Sequence, residues 1–172
     1  MSRISLQEAA EKAASIMLDS VSAVNPELNW VHYAPTQGGC GGYTIDGKAT
    51  SSVTRRVAVM TIVSEARRGS LLGVVERHWK QRGYKITEVN PDKDLPAISA
   101  STPEDFRLGV TVGKKGQFFF SITTPCFIES EVQPPKTKPN GTPLDGEHVP
   151  DPYVRSDFWP SNTSAPSSPS AP

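Results

Sequence analysis

The stretch FRLGVTVGKKGQFFFSIT, residues 106–123, decides how this chain folds. Phe106, Leu108, Val110 and Val112 alternate with Arg107, Gly109, Thr111 and Gly113, so a strand here has one buried face and one exposed or lightly covered face. Gly113-Lys114-Lys115-Gly116 turns it into a second strand over 117–123, a tight antiparallel hairpin. A sheet with one apolar face needs a layer to cover it, and that layer lies upstream.

Residues 84–89 and 97–100 read as two more short strands. Before them the spacing predicts a helix from about Ser70 to Arg82, with Leu72, Val75 and Trp79 on one face, Arg77, Lys80 and Arg82 near the C-terminal end, and Gly83 as its left-handed cap. Over 53–63 both alternating sets are largely apolar, as in a central strand covered on both faces. Four glycines around Cys40, from Gly38 to Gly42, predict a loop, and 30–33 a short strand. At the N-terminus Ser5 and Glu8 fit a capping box for a helix over 5–24. Its face is Leu6, Ala10, Ala13, Met17, Val21 and Val24, and Asn25-Pro26 stops it. Helix, strands, helix and antiparallel meander give an α+β two-layer sandwich with both helices on one face of a mainly antiparallel sheet.

The organisation along the chain is a single α+β domain over 1–130 followed by a Pro/Ser-rich tail over 131–172. Ten of the sixteen prolines lie from Pro134 onward, a composition that buries too little apolar area to offset chain entropy and predicts disorder. Tyr153, Phe158 and Trp159 are the exceptions; they dock back on the domain, stay idly exposed, or form a short partner-binding patch.

Charge excludes one class of partner. Residues 1–128 carry 15 Lys+Arg against 12 Asp+Glu (+3), and 129–172 carry 3 against 6 (−3), which cancels to zero. An excess of +3 is a weak footprint for displacing counterions from phosphates, so no nucleic-acid partner is expected. Arg55, Arg56, Arg67 and Arg68 form the candidate binding patch, with a solvated face as the blander alternative. No apolar run reaches the length of a membrane-spanning helix. The start, MSRISLQEAA, lacks the features of a secretory signal, which fits either a cytosolic protein or one whose signal has been removed.

Cys40 and Cys126 stand 86 positions apart with no CxxC pair, and His32, His78 and His148 are scattered, so no metal site and no cofactor are expected. The favoured reading is a Cys40–Cys126 disulfide, which implies an oxidising compartment. A nucleophilic Cys40 with His32 as base is the sharp alternative. Carboxylates such as Asp92 sit in turn-like contexts rather than in acid–base pairs. Asn140-Gly141-Thr142 and Asn162-Thr163-Ser164 fit the N-glycosylation pattern.

Three segments carry a resemblance: His78-Trp79-Lys80-Gln81-Arg82-Gly83-Tyr84, then 100–108 with Thr102-Pro103-Glu104-Asp105-Phe106, then Thr124-Pro125-Cys126. Over roughly 30–126 the chain resembles small actinobacterial cell-envelope lipoproteins of unassigned activity. That resemblance implies an exported, disulfide-closed domain, with a lipid anchor in a full-length precursor. The chain departs from the pattern in having no lipid-modified N-terminal Cys and in placing Glu104-Asp105 where Asp-Gly is typical. The leading expectation is therefore a non-enzymatic secreted or cell-envelope domain binding a protein partner or ligand. The alternatives are a cytosolic adaptor or regulatory protein, of phage or mobile-element type, and a thiol enzyme centred on Cys40.

Overall fold

A computed structural model describes residues 4–146 and 148–163. Helix α1 (Leu6–Ser22) opens on the capping box: Glu8 N donates to Ser5 Oγ at 3.0 Å, and Ser5 N donates to Glu8 Oε1 at 3.1 Å. Strands β1 (Trp30–His32), β2 (Thr36–Ile45) and β3 (Lys48–Val59) follow, then helix α2 (Glu65–Gln81). After it come β4 (Lys85–Asn90), β5 (Ala97–Ser101), β6 (Arg107–Val112), β7 (Phe118–Thr123) and β8 (Phe127–Ile128). Every strand pair is antiparallel, in the order β1-β3-β7-β6-β5-β4; β2 and β8 flank the first half of β3 on opposite sides.

Both helices lie on one face. α1 rests on β3 and β7, α2 on β4 and β5, and the two helices touch. One core joins Ala9, Ala13 and Met17 of α1 and Leu71, Val75 and Trp79 of α2 to the inward set Val57, Val59, Ile98, Leu108, Val110, Phe118, Phe120 and Ile122. Each Val, Leu, Ile, Phe or Met side chain among them removed from water contributes about 1.5–3 kcal/mol, which is why the alternation fixes the face. The expected α+β class, helix arrangement and antiparallel sheet are all present.

Three local expectations are corrected. The glycine segment is not a loop but the outer arm of a hairpin, β2, paired with β3 and interrupted between Gly39 and Thr44. Backbone pairing needs no side chains, and Gly41 and Gly42, at φ 20° and 85°, supply the irregularity that lets the arm bend. Helix α2 starts one turn earlier than its apolar spacing, because Glu65 to Gly69 carry no large apolar residue to mark the turn. The long apolar strand ends at Val59; from Met60 onward the backbone turns to partners in the C-terminal segment. At the departure noted in the sequence, Asp105 sits at φ 69°, the left-handed position that glycine would favour.

The described residues of 131–163 carry one bridge and no helix or strand, as their prolines dictate, yet they lie against the domain. This strap crosses the β1 edge. Gln133 N donates to Gln7 Oε1 at 2.7 Å on the helix side, and Trp30 N donates to Asn140 Oδ1 at 2.8 Å on the edge itself. Leu144, Val149 and Val154 then cover Val31, Ala58 and Met60 on the helix-free face. The strap returns to the main core at Trp159, 1% exposed, whose Nε1 donates to the Pro26 carbonyl at 2.9 Å. Of the three tail aromatics, Phe158 packs edge-on against Trp159 with ring centres 4.7 Å apart, while Tyr153 stays exposed. For Phe158 and Trp159 docking is the alternative that holds: a few large anchors, on a backbone already restrained by proline, suffice to offset the ordering entropy. The part of the expected tail beyond residue 163 lies outside the described residues.

Candidate functional site

Cys40 on β2 and Cys126 just before β8 are joined by a disulfide, with Cα atoms 6.4 Å apart. The pairing of Gly39 and Phe127 with the same residue, Ser51, explains how: the bond spans β3 and ties together the two strands that flank it. The Cα separation falls within the range such bridges require. With its sulfur bonded, Cys40 has no thiol to ionise, which removes the nucleophile reading. His32, its supposed base, donates from Nε2 to the Thr137 carbonyl of the strap at 2.7 Å. Among the described residues no cysteine is free, no group of three or more metal-type side chains gathers, and no helix is long and apolar enough to cross a membrane.

The four arginines are placed as two neighbouring pairs. Arg55 and Arg56 are consecutive on β3, so strand alternation starts them on opposite faces, and both reach a cleft at the sheet edge. Arg67 and Arg68 occupy the first turn of α2 and reach different segments. Arg67 donates from Nε to the Thr163 carbonyl at 2.8 Å, and its guanidinium lies 4.1 Å from the centre of the Phe158 ring. Arg68 donates from Nη1 to the Asp94 carbonyl at 3.0 Å. Asp94 belongs to a turn in which Asp92 Oδ1 accepts from Asp94 N and Leu95 N, as the proline-flanked acids suggested.

Arg55 is the unusual one. It is 4% exposed, donates from Nη2 to the Gln133 carbonyl at 2.8 Å, and leaves its buried Nε–H without a partner among the described residues. Burial lowers its pKa, and the field of Glu11 opposes this. Beside it, between the end of β1, the middle of β3 and the strap, opens a cleft of about 390 Å³. Its walls are mostly apolar: Tyr33, Pro134, Pro135, Pro139, Pro143 and Leu144, with Arg55 and Arg56. Burial raises the Tyr33 phenol pKa, partly offset by the nearby Arg56 charge. Periodicity could not reveal this cleft, because its roof comes from prolines 75 or more residues beyond the end of the strand that floors it.

A polar cluster joins the two helices at their C-terminal ends. Arg82 donates to both carboxylate oxygens of Asp19, at 2.7 and 3.0 Å, and His78 Nε2 donates to Oδ2 at 2.7 Å. Hydrogen bonding from Arg82, and after it from His78, holds the Asp19 carboxyl below its usual pKa against the effect of burial. Asn140 of the first glycosylation pattern donates its side-chain amide to Leu28 O at 2.8 Å and Glu27 Oε1 at 3.0 Å, so that nitrogen is already engaged.

Two solved structures resemble this one. A DUF4853 family protein from Actinomyces odontolyticus superposes with a TM-score of 0.50 at 11% identity, over 84% of this chain and 79% of that one. LppA of Mycobacterium tuberculosis, named as a lipoprotein, superposes with a TM-score of 0.44 at 12% identity, over 73% and 79%. No family model matches the sequence, and no curated protein does. At such identities the first likeness speaks for the fold alone.

Proposed function

We propose that this chain is a non-enzymatic domain of the cell envelope or extracellular space that binds a ligand or protein partner. The observation that carries the reading is the Cys40–Cys126 disulfide across β3. Disulfides persist where thiols are not continually reduced, and a closed loop of this length contributes about 4 kcal/mol, a large share of a domain's stability. The resemblance of 78–84, 100–108 and 124–126 to actinobacterial envelope lipoproteins supports the same compartment.

Intact mass on protein from its native compartment tests the reading. The expected mass increases by two hydrogens on reduction, and iodoacetamide labels neither cysteine beforehand. Two free thiols in that material would overturn it and favour the cytosolic adaptor.

A further inference from the structure

The guanidinium of Arg55 is buried, yet no carboxylate lies within ion-pair distance of it among the described residues. Glu11 acts on it only through space; its Oε2 takes a hydrogen bond from Gln7 Nε2 at 3.1 Å and lies 3.8 Å from Lys136 Nζ. A buried lysine could lose its proton, but arginine keeps its charge, so the cost of burial stays with the fold. An uncompensated buried charge costs several kcal/mol, more than one hydrogen bond to the Gln133 carbonyl returns. Arg67 also leaves one N–H unpaired, but it has the Phe158 ring and two contacts to Thr163. Arg55 has no such substitute.

We propose that the proline-lined cleft beside Arg55 binds a small amphipathic carboxylate, with the Arg55 guanidinium as its counter-ion. Charge complementarity selects the anion: two arginines line the cleft, and no described lining residue is acidic. The neighbouring space of about 300 Å³, which Arg55 also lines, contains the Glu11–Lys136 pair, so a carboxylate already sits in its wall, whereas the proline-lined cleft has none among its described residues. The apolar walls select the body of the ligand, since Pro134, Pro135, Pro139 and Leu144 offer contact area and few hydrogen bonds. A phosphate dianion calls for a cluster of donors, whereas a monocarboxylate is matched by a single guanidinium. About 390 Å³ sits at the lower end of small-ligand sites. The strap forms the roof, so occupancy also ties 131–146 to the sheet. The inference rests on the reading of this chain as a binding domain and names its ligand class.

Titration calorimetry of the full, oxidised chain with phenylbutyrate tests it, with phenylbutylamine as the charge-reversed control. Saturable binding is expected for the acid and none for the amine. Arg55→Met should weaken the acid by more than about tenfold. Pro143→Glu, which places a carboxylate at the exposed rim of the cleft, should do the same and keeps the test decisive if Arg55→Met fails to fold. Arg107→Gln, on an exposed part of β6, should bind like the parent. No saturation by the acid, equal binding of the amine, or full binding by Pro143→Glu would overturn the assignment. None of these outcomes bears on the thiol count, so the site and the compartment fail separately.

Discussion

Helix α2 and the strap over 131–163 each deliver one fully buried tryptophan to the same core, by different means. Trp79 comes on a periodic helix, between Leu71, Val75 and the sheet, and its Nε1 donates to Ser20 Oγ at 2.9 Å. Trp159 comes on a segment without helix or strand, and its Nε1 donates to the Pro26 carbonyl at the same distance. The helix satisfies its own backbone; the strap satisfies its backbone on the edge it covers, through Trp30, Met60 and Ser64. The difference teaches that regular structure is one way to bring apolar area into a core, and backbone complementarity to an existing edge is another.

Trp79→Ala and Trp159→Ala test that equivalence most directly. Both should cost about 3–5 kcal/mol by urea unfolding. A loss below about 1 kcal/mol for Trp159→Ala alone would make the strap an ornament of the domain rather than part of it. Next in size, Asn140→Ala removes the acceptor for Trp30 N and the donor to Leu28 O, and should cost about 1–2 kcal/mol. Faster amide exchange at Trp30 should accompany the loss; unchanged exchange would show that the edge is held by something else.

The smallest effect appears only in acid and separates the two regions by chemistry. The folded value of Asp19 is depressed below the ordinary 3.8, so its contribution is complete above about pH 4 and is lost as pH falls through that lower folded value. Asp19→Asn should therefore flatten the fall in the urea midpoint below about pH 4, where the parent loses its tie between α1 and α2. The strap's anchors at Trp159 and Val154 hold backbone groups that do not titrate. A variant whose acid profile matches the parent would show that Asp19 does not couple the helices.

The sheet and both helices were legible because their apolar residues recur at periods of two and near four. The disulfide was legible from the count and placement of two cysteines. β2 was not, since Gly38 and Gly39 contribute ladder pairing but no pattern, and Gly41 and Gly42 lie in its irregular stretch. The strap was hidden by its own prolines, which argue correctly against helix and strand but say nothing about docking. Of the four candidate arginines, sequence supplied the positions; it could not supply the burial of Arg55, which depends on a roof from another part of the chain. Legibility fails where the needed contact is distant and aperiodic.

The return of Trp159 has a consequence for how the protein is made. Its slot is bounded by elements synthesised long before it, so a chain still emerging from the ribosome passes through a stage in which β7 and β8 are complete and that slot stands open to water. The Cys40–Cys126 pair is already available at that stage, and oxidation then would lock the sheet before its last core residue arrives.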